Sequence, residues 1–265
     1  MARWLVGIDT GGTFTDLIAV EETSGEFRLA KVPSRPQDPS SAVIEALEDL
    51  FRSGVAPAEL RMLVHGTTVA TNAMLEGKGV RTGLLITRGF RAVYEARGWT
   101  RPSQIDLIST AFQKPPLLAP QSLTEEIPER LDQAGEVIVP LDESAVRAAA
   151  VRLRERGVES VAICYLYSFL NAAHEERSAA ILSQALPQCR VSLSSRVLPV
   201  IREYPRLSTT VIDAYVGPIV EQYLIRLADM LKIDLIKAAD RKIEVNSQKY
   251  PVEKSRGSAK KYTEL

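Results

Sequence analysis

Near the start of the chain stands the sequence Gly7-Ile8-Asp9-Thr10-Gly11-Gly12-Thr13-Phe14-Thr15-Asp16. It lies between two apolar runs, at residues 4–8 and 17–20. A strand that stops at Gly-Gly-Thr and then restarts predicts a hairpin, whose tight turn presents several backbone N–H groups to one anion. The two glycines leave room for a phosphate to reach the backbone, and the hydroxyls of Thr13 and Thr15 add donors. The pattern therefore predicts a phosphate-binding turn.

Two carboxylates flank this turn. Asp9, at the end of the first strand, is placed to hold Mg²⁺ through water, because a phosphate cluster binds poorly without its cation. Asp16 has several open roles: it orients the metal shell, it orients the threonines, or it only caps the turn. An ordinary hairpin, in which Gly-Gly supplies positive φ, also explains an isolated Asp-x-Gly-Gly. From these residues alone, both interpretations stay open.

A second dense block is His65-Gly66-Thr67-Thr68-Val69-Ala70-Thr71-Asn72-Ala73. We expect a short strand at residues 62–64 before it and a helix at about 69–76 within it. A Gly-Thr-Thr turn that enters a helix places hydroxyls and free N–H groups at the positive end of the helix dipole, where they bind an anion or a polar substrate group. A threonine N-cap would explain one Thr of this block. His65 is equally consistent with a hydrogen-bonded packing residue.

Both blocks resemble one family. The first looks like the first phosphate motif of the actin, sugar-kinase and Hsp70 ATPase superfamily, and it is similar to the N-terminal domain of the hydantoinase A/5-oxoprolinase family. Further blocks follow in that family's order: Gly89-Phe90-Arg91, Glu129-Arg130-Leu131-Asp132, Pro140-Leu141-Asp142-Glu143 and Arg202-Glu203-Tyr204. The resemblance runs from about residue 5 to about residue 231.

The resemblance implies an α/β fold, a mixed sheet with flanking helices that forms the ribonuclease-H-like half of an actin/sugar-kinase-type ATPase. We expect the hydantoinase/oxoprolinase domain at residues 1–200 and the helical start of a truncated second domain at 201–231. The Lys-rich stretch 232–265 is expected to be a divergent, poorly ordered tail. The family normally continues into a second half with further phosphate and adenosine loops, and this sequence contains no second Asp-x-Gly-Gly-Thr.

The activity that the resemblance implies is ATP-dependent opening of a cyclic amide of the hydantoin or 5-oxoproline type, with the ring carbonyl activated by phosphorylation before water attacks. ATP and Mg²⁺ are then the expected cofactors. They would be bound by Asp9, Gly11, Gly12, Thr13, Thr15 and Asp16. The expected catalytic residues, near the substrate, are His65, Thr67, Thr68 and Asn72.

Two alternatives stay open. One is a subunit of an ATP-dependent ketone carboxylase, since such subunits resemble the same family. The other is a truncated binding module without turnover. Expected partners are a cyclic amide, a hydantoinase B-like subunit and further copies in an oligomer or hetero-complex.

Arg97 and Arg101 are candidate substrate-binding residues, because arginine is the natural partner of a carboxylate or phosphate. A solvated loop arginine is the commoner case, however. In many relatives this loop reads more like Arg-Gln-Asn-Arg-Pro than the present Arg97-Gly98-Trp99-Thr100-Arg101-Pro102. The identity of the substrate is therefore harder to infer from the family.

The composition limits the remaining classes of function and of binding site. The 33 Lys and Arg balance the 33 Asp and Glu, so no long-range attraction to nucleic acid or an anionic membrane is implied. We find no apolar stretch long enough for a bilayer span and no signal-peptide region, so we expect a cytoplasmic protein. Two cysteines and two histidines without close spacing argue against a disulfide framework or a zinc site.

Three further expectations concern the second part of the chain. Residues 123–131 and 137–139 read as a hairpin, with Glu125, Glu126 and Glu129 on solvated faces. Residues 142–195 alternate helix, strand, helix and strand, which predicts a partly parallel α/β layer. His174 reads as a neighbour of a helix cap more than as a catalytic group, and Pro218 is expected to break or kink the last long helix.

Overall fold

The computed structural model describes residues 2–35, 38–96 and 115–231, together with a few single positions between 234 and 244. The chain divides into two compact units. Residues up to Val69 form the first unit with those from Glu221 onward, and Ala70–Val220 form the second. The domain boundaries expected near residues 200 and 231 stay predictions, and most of the expected tail lies outside the described residues.

The first unit is built on a four-stranded sheet in the order β3-β2-β1-β4. Strands β1 to β3 form an antiparallel meander, and β4 pairs parallel to β1. The elements are β1 (Trp4–Thr10), β2 (Phe14–Glu21), β3 (Phe27–Pro33), α1 (Pro39–Arg52) and β4 (Leu60–Thr67).

Only one face of this sheet is covered within the described part of the first unit. Trp4, Val6, Ile8, Leu17 and Ala19 are buried on that face, against which α1 packs. Because neighbouring side chains of a strand point to opposite faces, the alternate positions lie on the other face. There Ile18, Leu29 and Val64 are exposed. We call this side the open face of the sheet.

The second unit contains a four-stranded sheet in the order β10-β9-β5-β6, in which every neighbouring pair is parallel. This confirms the parallel layer predicted from the sequence. The first helix of this part of the chain, α2, begins with one residue of the first unit, and the last helix, α7, continues into the first unit. The elements are α2 (Val69–Leu75), β5 (Thr82–Thr87), α3 (Ala92–Ala96), β6 (Thr124–Ile127), β7 (Arg130–Leu131), β8 (Val137–Val139), α4 (Glu143–Glu155), β9 (Ser160–Cys164), α5 (Ala173–Ala185), β10 (Arg190–Leu193), α6 (Ser194–Val197) and α7 (Glu203–Leu231).

Both faces of this parallel sheet are buried, as is usual for such sheets. Leu85, Val161 and Ile163 pack with residues of α4 and α5 on one side. Leu84 and Ile86 pack with residues of α7 on the other. Asp142 caps α4, since its side chain accepts a hydrogen bond from Ala145 N.

The predicted hairpin at residues 123–139 is wrong in its first strand. Strand β6 pairs parallel with β5 and is not part of the hairpin, whereas the short β7 pairs antiparallel with β8. Pro128, which separates β6 from β7, lacks an N–H and ends the first pairing. Glu125 and Glu129 are buried and not solvated. Glu125 accepts hydrogen bonds from Arg152 (Oε2 to Nη2, 2.7 Å) and Arg156 (Oε1 to Nη1, 3.1 Å).

Two other expectations need correction. His174 does not serve a helix cap; its Nδ1 lies 2.8 Å from Oε2 of the buried Glu129. The helical run of α7 continues through Pro218, so the expected break is wrong, while the expected kink stays a prediction. A proline removes one helical hydrogen bond. The burial of Val211, Ala214 and Tyr215 nearby supplies packing that offsets this loss.

Candidate phosphate-binding site

The turn between β1 and β2 has the hairpin form predicted from the sequence. Gly11 N donates to Phe14 O at 3.0 Å, which closes the turn. Ser34 N, just after β3, donates to Thr13 O at 2.9 Å and fixes its outer side. Within the described part of the chain, the backbone N–H groups of Gly12 and Thr13 have no hydrogen-bond partner. Both residues are exposed, so two adjacent donors face solvent, as a phosphate requires.

Asp9 lies one residue before the end of β1, on the open face of the sheet, and its side chain is exposed. Its neighbour in the parallel strand β4 is Gly66. A β-carbon on Gly66 would stand 3.0 Å from Asp9 Oδ1, closer than most real β-carbon contacts. The missing side chain therefore provides the space that the Asp9 carboxylate occupies. No ion pair of Asp9 occurs among the described residues.

Asp16 stands directly opposite Asp9 in the β1–β2 register, on the same face. Like charges in this arrangement destabilise a strand pair. Lys31, the β3 neighbour of Asp16, partly relieves the repulsion, since its Nζ lies 2.7 Å from Asp16 Oδ1. A cation at Asp9 would relieve it further. Asp16 thus has a charge partner in the protein, whereas Asp9 keeps its carboxylate open.

Thr15 lies on the opposite, covered face and is buried. Its Oγ1 lies 3.0 Å from Ser34 Oγ and 3.5 Å from Thr10 Oγ1. These bonds join β1, β2 and the end of β3 immediately behind the turn. The exposed members of the predicted phosphate set are Asp9, Gly12, Thr13 and Asp16, with Gly11 half-buried.

His65 lies in β4 on the covered side of the sheet, beside Ile8. Its Nδ1 is 3.3 Å from the carbonyl oxygen of Ile8, and its Nε2 contacts the hydroxyl of Tyr223 on α7. A carbonyl only accepts, so Nδ1 carries the proton and Nε2 accepts from Tyr223. Burial lowers the pKa of His65 from its ordinary value, although the Ile8 bond and the Asp9 charge oppose this change. The imidazole is therefore neutral at pH 7.

Thr67 ends β4, Thr68 follows it, and both lie beside the end of β1. The N–H and the hydroxyl of Thr68 both donate to Thr10 O, at 3.2 and 3.1 Å. Thr67 Oγ1 accepts a hydrogen bond from Val69 N at 3.2 Å, at the start of α2. The two threonines thus tie β4 to the strand that leads into the phosphate-binding turn.

The remaining predicted site residues are Asn72, Arg97 and Arg101. Asn72 is half-buried on α2, in the second unit. Arg97 and Arg101 lie outside the described residues. Sequence reasoning missed Tyr223, because its spacing with Ile219, Val220 and Leu227 grouped it with the apolar face of a helix. The only sequence signal was a phenol among aliphatic residues.

The donor set fits a magnesium ion that arrives with phosphates. Asp9 offers one exposed carboxylate, next to free N–H groups that suit the phosphate. Among the described residues, no group of three or more His, Cys, Asp or Glu side chains is arranged to hold a metal by itself. A hard cation with few protein ligands is typical of Mg²⁺ at a nucleotide site.

None of the helices in the described part of the chain has the length and apolarity that a bilayer crossing needs.

The sequence matches a known family along most of its length. The model of the hydantoinase/oxoprolinase N-terminal region matches residues 5–186. The alpha subunit of caprolactamase from Pseudomonas jessenii is 37% identical over 230 residues, which are 85% of this chain and 33% of that subunit. The 5-oxoprolinase of Saccharomyces cerevisiae is 31% identical over 254 residues, covering 83% of this chain and 20% of the yeast protein.

Solved structures agree with these matches. The crystal structure of the ATP-dependent caprolactamase superimposes with a TM-score of 0.77 at 36% identity, over 86% of this chain and 33% of that one. The nucleotide-free acetone carboxylase, an enzyme of ATP-dependent acetone carboxylation, gives a TM-score of 0.78 at 28% identity, over 88% and 35%. The expected mixed α/β fold of an ATPase-like protein is thereby confirmed.

These relatives are longer than the present chain, which spans about a third of the caprolactamase alpha subunit and a fifth of the yeast 5-oxoprolinase. The family model covers the β1–β2 hairpin and the strands β5, β6 and β9 of the parallel sheet. The chain belongs to the hydantoinase/oxoprolinase N-terminal family.

Proposed function

We propose that the first unit supplies a phosphate-binding element of an ATP-dependent enzyme that opens cyclic amides of the hydantoin or 5-oxoproline type. The observation that carries this proposal is the pair of free N–H groups at Gly12 and Thr13 beside the open carboxylate of Asp9. The relatives support it, because caprolactamase and 5-oxoprolinase both bear names of enzymes that act on cyclic amides.

Each residue of the turn has a role in this proposal. The N–H groups of Gly12 and Thr13, with the Thr13 hydroxyl, donate to phosphate oxygens. Asp9 holds Mg²⁺ through water; when bound, the ion neutralises phosphate charge. Asp16 holds the positive charge of Lys31 next to the site through their ion pair. Thr15 supports the turn from the buried side. These residues bind and orient the phosphate, which is the main task of a protein in phosphoryl transfer.

We place His65, Thr67, Thr68 and Asn72 on the substrate side of the turn, as the sequence suggests. The hydrogen bonds of His65 and Thr68 favour a role in which they hold the strand ends and exchange no proton. Thr67 and Asn72 are proposed to contact the substrate directly. Arg97 and Arg101 are proposed to bind a polar substituent of the ring.

The whole enzyme is proposed to act in the cytoplasm, where ATP is supplied, and to assemble with a hydantoinase B-like subunit. Several relatives are named as subunits, including those of caprolactamase and of the acetone and acetophenone carboxylases. An alternative follows from the same group. The structural likeness to acetone carboxylase equally supports a subunit that uses ATP to carboxylate a ketone. A non-catalytic binding module is the third possibility for this chain alone.

Phosphate release from Mg·ATP separates these functions. The chain is incubated with hydantoin, 5-oxoproline or caprolactam, and in parallel with acetone or acetophenone plus bicarbonate. Release stimulated by a cyclic amide supports the main proposal, and release stimulated only by ketone and bicarbonate supports the carboxylase. Nucleotide binding without any stimulated release identifies a binding module.

A further inference from the structure

We infer that Tyr223 is a positioning residue for the phosphate-binding turn and that it acts through His65. This inference rests on the proposed function, because the strand it would fix carries Asp9. Tyr223 belongs to α7 and lies 158 residues after His65 in the chain. It is therefore a distant segment that completes the support of the N-terminal hairpin.

The contact between the two side chains is specific. Tyr223 is buried, with 4% of its surface exposed. Its hydroxyl is hydrogen-bonded to His65 Nε2, and the ring centroids lie 5.6 Å apart at a tilt of 38°. The hydroxyl also interacts with the side chains of Thr10 and Thr67, which end β1 and β4. One phenol thus touches both strands where they approach the turn.

The hydrogen bonds continue from this phenol toward Asp9. The Tyr223 hydroxyl donates to His65 Nε2, and His65 Nδ1–H donates to Ile8 O. Ile8 immediately precedes Asp9, and the β1–β4 register places Ile8 beside His65 and Asp9 beside Gly66. The Ile8 carbonyl, which only accepts, places the proton on Nδ1, and the phenol supplies the donor that Nε2 then needs. That tautomer directs an N–H to the peptide that leads into Asp9.

A purely structural role is the competing explanation, since Tyr223 also packs as a core residue. The change Tyr223→Phe distinguishes the two, because the ring keeps its packing and only the hydroxyl is lost. Tyr215→Phe is the matched control: Tyr215 lies on the same helix, belongs to the second unit and packs against Gly79.

The chain offers a clean spectroscopic readout, because it contains two histidines. ¹⁵N chemical shifts of the imidazoles report which nitrogen carries the proton and whether the other accepts a hydrogen bond. In Tyr223→Phe, the Nε2 signal of His65 is expected to move toward that of a free imidazole nitrogen. The His174 signals, whose ring contacts Glu129, should stay in place. An unchanged His65 spectrum overturns the inference.

Binding gives the second readout. Tyr223→Phe is expected to weaken Mg·ATP binding by about five-fold, the value of one neutral hydrogen bond, while Tyr215→Phe leaves it unchanged. In a His65→Ala background the further change Tyr223→Phe should have no additional effect, since the two residues act in series. An additive effect would overturn the route through His65.

The result for the unaltered chain separates the two claims. If it binds no Mg·ATP, the proposed function fails, and the role of Tyr223 in phosphate binding fails with it. If it binds Mg·ATP and Tyr223→Phe binds equally well, only the role of Tyr223 is wrong.

Discussion

Gly66 lies beside Asp9 with so little space that a β-carbon on Gly66 would stand 3.0 Å from Asp9 Oδ1. The two residues are register partners in β4 and β1. The absence of a side chain at one position thus sets the orientation of the carboxylate at the other.

We expect Gly66→Ala to displace the Asp9 carboxylate and to weaken Mg·ATP binding by about ten-fold or more, as small misplacements at a site often do. The fold should persist, because the atom that is displaced is the end of a flexible side chain. Titration calorimetry measures the affinity. Gly7→Ala is the control, since its β-carbon would meet Ile18 Cγ2 at an ordinary 3.4 Å. Equal affinities for the two variants would contradict the prediction.

The buried pair of His174 and Glu129 is expected to stabilise the second unit. Glu129 Oε2 lies 2.8 Å from His174 Nδ1, and its other oxygen accepts a hydrogen bond from Thr87. His174→Ala leaves a buried carboxylate with one partner fewer, so we expect a loss of about 3 kcal/mol in the free energy of unfolding. Urea denaturation measures it.

A control for this prediction uses an exposed ion pair of Glu176, which lies on the same helix as His174. Arg196→Ala removes the exposed ion pair with Glu176, for which a change below about 0.5 kcal/mol is expected. If both variants lose the same small amount, the buried pair does not contribute as described.

Acid should remove a contribution of Glu21 to stability. Hydrogen bonds from the backbone N–H and the hydroxyl of Ser24 are the main cause that lowers the pKa of this carboxyl from 4.5 to about 2. A carboxyl whose pKa is lower in the folded state stabilises the protein above its unfolded pKa. That contribution is lost as pH falls from about 4.5 toward 2.

We therefore expect the unaltered chain to lose more stability between pH 7 and pH 3 than Glu21→Gln does. Urea denaturation at the two pH values gives the comparison. Glu48→Gln, at an exposed position of α1, serves as the control. Identical acid sensitivity of the unaltered chain and Glu21→Gln would refute this role.

The open face of the N-terminal sheet should promote association. Ile18 and Leu29 are register partners with 49% and 69% of their surfaces exposed, and a groove of about 600 Å³ runs along them. Exposed apolar area of this kind favours contacts between proteins. The double change Ile18→Thr with Leu29→Thr should shift the sedimentation coefficients of the isolated chain toward the value of a monomer. Val151→Thr, at an exposed position of α4, should not.

A sedimentation profile that is already monomeric for the unaltered chain, at high concentration, would contradict this prediction. The double variant must also keep the circular dichroism spectrum of the unaltered chain, so that a change in association is not a loss of fold.

Local patterns were enough to predict the hairpin at residues 4–20, because Gly-Gly-Thr between two apolar runs restricts the chain to a tight turn. The parallel layer was also predictable, from the alternation of helices and strands after Asp142. The burial of Glu125 was not. Its partners are Arg152 on α4 and Arg156 directly after it, and a strand with alternating charges looks solvated until its neighbours are known.

The same limit applies to the candidate site. Asp9, Gly12 and Thr13 are close in sequence, so their shared turn could be inferred. The link between His65 and Tyr223 spans 158 residues, and no local periodicity reports such a contact. The sequence therefore predicted which residues form the turn better than which residues hold the turn in place.

The most direct test of the account is titration calorimetry of Mg·ATP into the purified 265-residue chain, with Asp9→Asn as the comparison. The account predicts measurable binding that depends on Mg²⁺ and disappears, or weakens by at least about ten-fold, in Asp9→Asn, because the amide removes the charge that holds the cation. Binding that is unaffected by Asp9→Asn, or no binding by the unaltered chain, would contradict the claim that this hairpin forms a phosphate site by itself.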